Sequence, residues 1–158
     1  MNLLVVIFII FVVWGIWKGF KNGFAKEVNG VVSLFMALIV LSIVFVLIAG
    51  IWGKNTETIV VSIVLLVGCG ILYRILNMVM KSITTLARLP LINAADRLLG
   101  AAAGVLEFMI VFWMMYIIIE GFPTGRFGEQ IMAWTKESTL LMNIYNKNYI
   151  ANWIISLK

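Results

Sequence analysis

Four long stretches of this chain run with almost no polar interruption. No side chain from Met1 to Trp17 is charged, and none from Val28 to Gly53. A third run, Thr58 to Met80, is broken only by Arg74, and a fourth, Leu98 to Ile119, only by Glu107. A helix rises about 1.5 Å per residue, so runs of this length can cross a hydrocarbon layer roughly 30 Å thick. Barrel strands of outer membranes alternate apolar and polar positions in segments of about ten residues. Here "MALIVLSIVFVLIAG" is apolar at nearly every position, so both parities are greasy. The pattern predicts an all-α integral membrane protein, since a helix closes its backbone hydrogen bonds within each span. Four transmembrane helices are expected at about 2–17, 30–52, 58–80 and 98–119, forming a membrane domain over 1–120. Interfacial amphipathic helices are expected beside them.

Residues 121–158 break this pattern. "GFPTGRFG" is turn-rich, and from Gln130 the chain becomes amphipathic. Ile131, Trp134, Leu141, Tyr145 and Trp153 can share a face, with Lys136, Glu137, Asn143 and Lys147 on others. The tail reads as one or two helices lying against the membrane or capping the bundle. Trp134 and Trp153 suit the boundary between lipid and water.

Composition supports lipid as the solvent. Hydrophobic residues make up 63% of the 158, and only 12% are charged, against about 25% in soluble domains. A small soluble domain could not hide that much apolar surface in one core. The chain has no histidine and one cysteine, Cys69, which leaves no internal disulfide, no cysteine zinc cluster and no histidine-dependent catalysis. No enzyme activity, cofactor or metal site is expected. The formal charge of +5 comes from scattered residues, so nucleic acid is not an expected partner.

The basic residues instead suggest an orientation. Lys18, Lys21 and Lys26 follow the first span, and Lys81, Arg88 and Arg97 lie between the third and fourth. The second connection has Lys54 beside Glu57. The positive-inside rule then puts the first and third connections in the cytoplasm and both termini outside. The first segment lacks the basic start and small-residue cleavage site of a signal peptide.

Small residues mark candidate packing faces. Gly15, Gly19 and Gly23 recur every four residues, on one side of a helix, where they let another helix approach closely or mark a bend. Gly100 and Gly104, with the alanines between them, form a second such face. Phe20 and Phe24, beside the three lysines, suit the lipid boundary. Pro90 should end or kink any helix that reaches it, and Asn93 or Asp96 could cap the next. A charge inside a span is costly, and Arg74 and Glu107 lie at similar depth in spans consecutive in sequence. A pair between them is expected, with snorkelling of Arg74 and protonation or hydrogen bonding of Glu107 as the alternatives.

Two segments together carry a family resemblance. "GIWKGFKNGFAKEVNGVVSLFMALIVL" and "NAADRLLGAAAGVLEFMIVF" resemble the CvpA family of bacterial inner-membrane proteins, named for colicin V production. Gly15, Lys18, Gly19, Gly23, Phe24 and Glu27 match its basic glycine-phenylalanine turn, and Asp96, Arg97, Gly100 and Gly104 match the opening of its fourth span. Order and spacing agree over roughly residues 1–120. Where the family often has an acid early in the first span, this chain has Asn2. The resemblance implies an inner-membrane accessory protein for toxin production or secretion and envelope physiology. The expected partners are the lipid bilayer, a second copy, or an envelope or secretion protein. The alternative is an oligomeric small channel or transporter, with Arg74, Glu107 and Asp96 near its path.

Overall fold

The computed structural model describes residues 2–86, 93–122 and 124–149. Among them run six helices: α1 (Leu3–Asn22), α2 (Phe24–Trp52), α3 (Thr56–Leu86), α4 (Asn93–Gly121), α5 (Gly125–Glu137) and α6 (Thr139–Asn146). The described residues contain no strand. The first four helices are each long and apolar enough to cross a membrane. Arg88, Pro90 and Trp153 lie outside the described residues.

The helices overrun the apolar runs that predicted them. α1 continues through Lys18 to Asn22, and α2 starts at Phe24, so one residue, Gly23, joins the first two spans. Its φ of +80° is a conformation that glycine adopts without a steric penalty. The polar stretch read as a connection is therefore mostly helix. Local chemistry fixes the other ends: Asn2 accepts from the Leu4 and Val5 amides at the start of α1, and Asn55 from Thr58 N at 3.2 Å at the start of α3.

α4 is the central element. It crosses α1 along the glycine faces and packs on α2 through Leu38, Ile110 and Ile117. α3 packs on a different stripe of α2, where Ile43 and Val46 meet Leu66 and Cys69. Consecutive helices are thus not always neighbours: α4 docks on α1 and α2, while α3 docks on α2.

The tail closes one end of the bundle. Ile131, Leu141 and Ile144 share a core with Leu4, Phe8, Phe112 and Tyr116, and Trp134 and Tyr145 pack against it. Lys136, Glu137, Asn143 and Lys147 are exposed, as the amphipathic pattern requires. Polar ties fix the dock: Trp113 Nε1 donates to the Ile144 carbonyl at 2.7 Å, Tyr116 and Thr135 hydroxyls lie 3.1 Å apart, and Tyr145 donates to Glu120. Asn2 Nδ2 donates to the Trp134 carbonyl, joining the start of α1 to α5.

Candidate functional site

The two segments that carried the sequence motifs dock on each other. α1 and α4 cross antiparallel, with Gly15 facing Gly104 and Gly19 facing Gly100. A Cβ on Gly15 would stand 2.6 Å from the Gly104 carbonyl oxygen, and one on Gly19, Gly100 or Gly104 would run into the opposing backbone. Without side chains between them the backbones touch, and dispersion holds two helices that lipid gives no hydrophobic reason to associate. Aromatic rings extend the contact: Phe11 stacks on Phe108 at 5.3 Å, and Phe8 meets Phe112 edge-on at 4.9 Å.

At the Gly23 turn the same register brings in Asp96. Its Oδ2 fills the space where a Gly23 side chain would be, and its Oδ1 accepts from the Phe24 amide at 3.0 Å. The N-terminus of α2 has no side-chain cap of its own. Asp96, expected as a candidate cap for its own helix, instead takes an orphan donor of α2, where a negative charge also suits the helix dipole.

One level deeper lies a charge cluster drawn from three helices. Lys18 Nζ of α1 sits 2.7 Å from Glu107 Oε2 of α4 and 3.1 Å from Glu27 Oε2 of α2. Asn22 donates to Glu27 Oε1 at 2.6 Å. Glu27 is 2% exposed and Glu107 6%, whereas the Lys18 side chain is 37% exposed and reaches the cluster from the rim. Glu27 Oε2 is buried and lies within ion-pair range of Lys18 without an aligned hydrogen bond. The site thus sets two buried carboxylates against one ammonium.

Gly30 makes room for this arrangement. A Cβ there would collide with Glu107 Oε1, so the missing side chain of α2 is the cradle of the α4 carboxylate. Sequence reasoning missed Gly30 and the role of Asn22. The available signal was a fourth glycine after Gly15, Gly19 and Gly23, seven residues past the turn, within a helical turn of Glu27.

The expected Arg74–Glu107 pair gives way to a different one. Glu107 meets Lys18, while Arg74 is exposed on α3. The reason is topological: α3 follows one stripe of α2, and α4 approaches through α1 and another stripe of α2. Sequence adjacency gave the wrong neighbour. The basic and aromatic candidates near the turn line the outer side of the same end. Lys21 lies over the Trp17 ring at 5.4 Å, Arg97 over Phe20 at 5.7 Å, and Lys26 donates to Asn22 Oδ1 at 3.4 Å. Phe20 and Phe24 are exposed there, whereas Trp134, on α5 at the opposite end, is partly buried.

Chemically, the cluster can hold charge at depth and tie three helices together. Among the described residues no three His, Cys, Asp or Glu side chains converge as metal ligands. A family model described as "Colicin V production protein" matches residues 4–148, which covers the membrane helices and most of the tail. No curated protein and no solved structure matches the chain.

Proposed function

Because this chain belongs to the colicin V production protein family, we propose that it is an accessory protein of the bacterial inner membrane. In this reading it serves the production or secretion of colicin V-like toxins and, more widely, envelope physiology. It acts by contact with an envelope protein or a second copy, without catalysis or a cofactor. The first and third connections face the cytoplasm and both termini lie outside, a reading supported by the lysine and arginine bias.

The observation that carries the contact role is the outer side of α3. Val60, Val64, Val67, Ile71 and Ile75 recur at helical spacing and are all exposed, and a Cβ added at Gly68 or Gly70 would meet open space. One face of α3 packs on α2, and among the described residues nothing else covers its outer side, which leaves that side to lipid or to a partner helix. Photo-crosslinking residues placed at Val64 and Ile71 in cells test this. A discrete adduct, with itself or with one envelope protein, supports the accessory role. Lipid adducts alone count against it.

A second reading, an oligomeric channel or transporter, draws on the Lys18–Glu27–Glu107 cluster, because buried ionisable groups in membrane spans commonly mark ion paths. Purified protein in liposomes separates the two. A selective flux that Glu107→Gln abolishes favours transport. Absence of flux with a discrete crosslinked partner favours the accessory role.

A further inference from the structure

The end of the bundle around the Gly23 turn sorts its charges by sign. Its three carboxylates point into the protein: Glu27 and Glu107 onto Lys18, and Asp96 onto Gly23 and the Phe24 amide. Of its four described cations, only Lys18 takes part in an ion pair among the described residues. Lys21, Lys26 and Arg97 are exposed. Trp17, Phe20 and Phe24 are exposed beside them, with Lys21 over Trp17 and Arg97 over Phe20. The result is an outward rim of cations, two of them over aromatic rings, backed by inward-turned acids.

We propose that this rim is a docking surface for an anionic phospholipid, whose phosphate is held by Lys21, Lys26 and Arg97 while its acyl chains lie along Trp17, Phe20 and Phe24. Charge complementarity selects this occupant. The rim lies at the end of α1, where the span gives way to polar residues, so its cations stand at headgroup level with apolar helix surface directly beside them. Aromatic rings at that level prefer the boundary between headgroup and chain, and Trp17 and Phe20 also hold Lys21 and Arg97 in place. A soluble acidic segment would satisfy the cations but leave the three rings without apolar cover. Internal pairing sets the selectivity, because it keeps Glu27, Glu107 and Asp96 from cancelling the outward charge.

The test uses the full chain in bilayers of phosphatidylcholine and phosphatidylglycerol, with bromine on the acyl chains of one lipid at a time. Bromine quenches nearby indoles, and subtracting a Trp17→Phe variant isolates Trp17 from the other five tryptophans. Brominated phosphatidylglycerol is expected to quench Trp17 well beyond its mole share. Each of Lys21→Gln, Lys26→Gln and Arg97→Gln should lower that preference by up to about fivefold, and the triple variant should abolish it. Raising ionic strength on the unaltered chain should weaken it too, which keeps the proposal testable where a variant fails to fold. Quenching set by mole share alone, a preference indifferent to salt, or one that survives in a folded triple variant overturns the proposal. Loss of the preference to inorganic phosphate at constant ionic strength assigns the rim to free phosphate and also overturns it. Loss to an acidic peptide at constant ionic strength assigns it to a protein partner, with the same consequence.

Discussion

Glu107 occupies the volume that a side chain on Gly30 would fill. Gly30→Ala therefore pushes the carboxylate off its ammonium partner, and the expected loss is about 1–3 kcal/mol of stability, the usual cost of overpacking. Thermal unfolding in detergent measures it. The imbalance of the cluster gives a sharper test. Removing Lys18 leaves two buried carboxylates without their cation, which costs up to about 3 kcal/mol for a buried pair and less here, because the Lys18 side chain is 37% exposed and solvent screens it. Removing one acid leaves a balanced Lys18–Glu27 pair. Lys18→Met should therefore destabilise more than Glu107→Gln, and the opposite order would show that Lys18 does not serve both acids. At this scale the sequence displayed the charges but not their pairing. Glu107 stood out because it interrupts an apolar run. Lys18 and Glu27 did not, because they sat in what read as a polar connection and only the unbroken helices carry them inward. Asn2 works as a helix cap and a tie to the tail.

Between elements, glycines do different work according to what faces them. Gly19→Ala or Gly100→Ala drives a methyl into the opposing backbone and should cost about 1–3 kcal/mol. Gly68→Ala meets open space on α3 and should be neutral or stabilise by up to about 1 kcal/mol, since alanine is the better helix former. Equal losses at Gly19 and Gly68 would mean that the α1–α4 crossing is not the close one. The four-residue spacing of both glycine sets was legible in the chain: Gly15 and Gly19 meet Gly104 and Gly100, while Gly23 makes the turn between α1 and α2. What it could not convey was the partner: intervals of four on two helices fit many registers, and Asp96 against Gly23 is what selects this one. The dock of α6 on α4 should respond to pH. The hydrogen bond to Glu120, helped by burial, pushes the Tyr145 hydroxyl up to about 12 from an ordinary 10. A raised folded-state value contributes stability in full below pH 10, and that stability is lost as pH climbs from 10 to 12. Absorbance titration should find Tyr145 ionising near pH 12, and Tyr145→Phe should remove that component together with the stability change in that window.

Taken whole, the molecule has two unlike ends. One is held by the α5–α6 cap, with its tyrosine, tryptophan and threonine hydrogen bonds, and the other by charges around Gly23. Four spans and an amphipathic tail followed from hydrophobic pattern alone, because lipid imposes that pattern on every turn of a spanning helix. The arrangement of the spans did not follow, because in lipid the choice between neighbours rests on a few small residues and charges rather than on total apolar area. The single-residue link at Gly23 has a consequence for the whole assembly, in that it acts as a phase lock. With no slack between α1 and α2, the rotation of α2 about its axis is fixed by the number of residues in the turn. One added residue after Gly23 advances the phase of α2 by about 100°. Such an insertion, which an ordinary surface loop would absorb, should swing Glu27 and the Gly30 cradle together away from Lys18 and Glu107. In a double-mutant cycle the coupling between Lys18 and Glu27 should then shrink sharply, while the Lys18–Glu107 pair across α1 and α4 is retained and all four spans remain in the membrane.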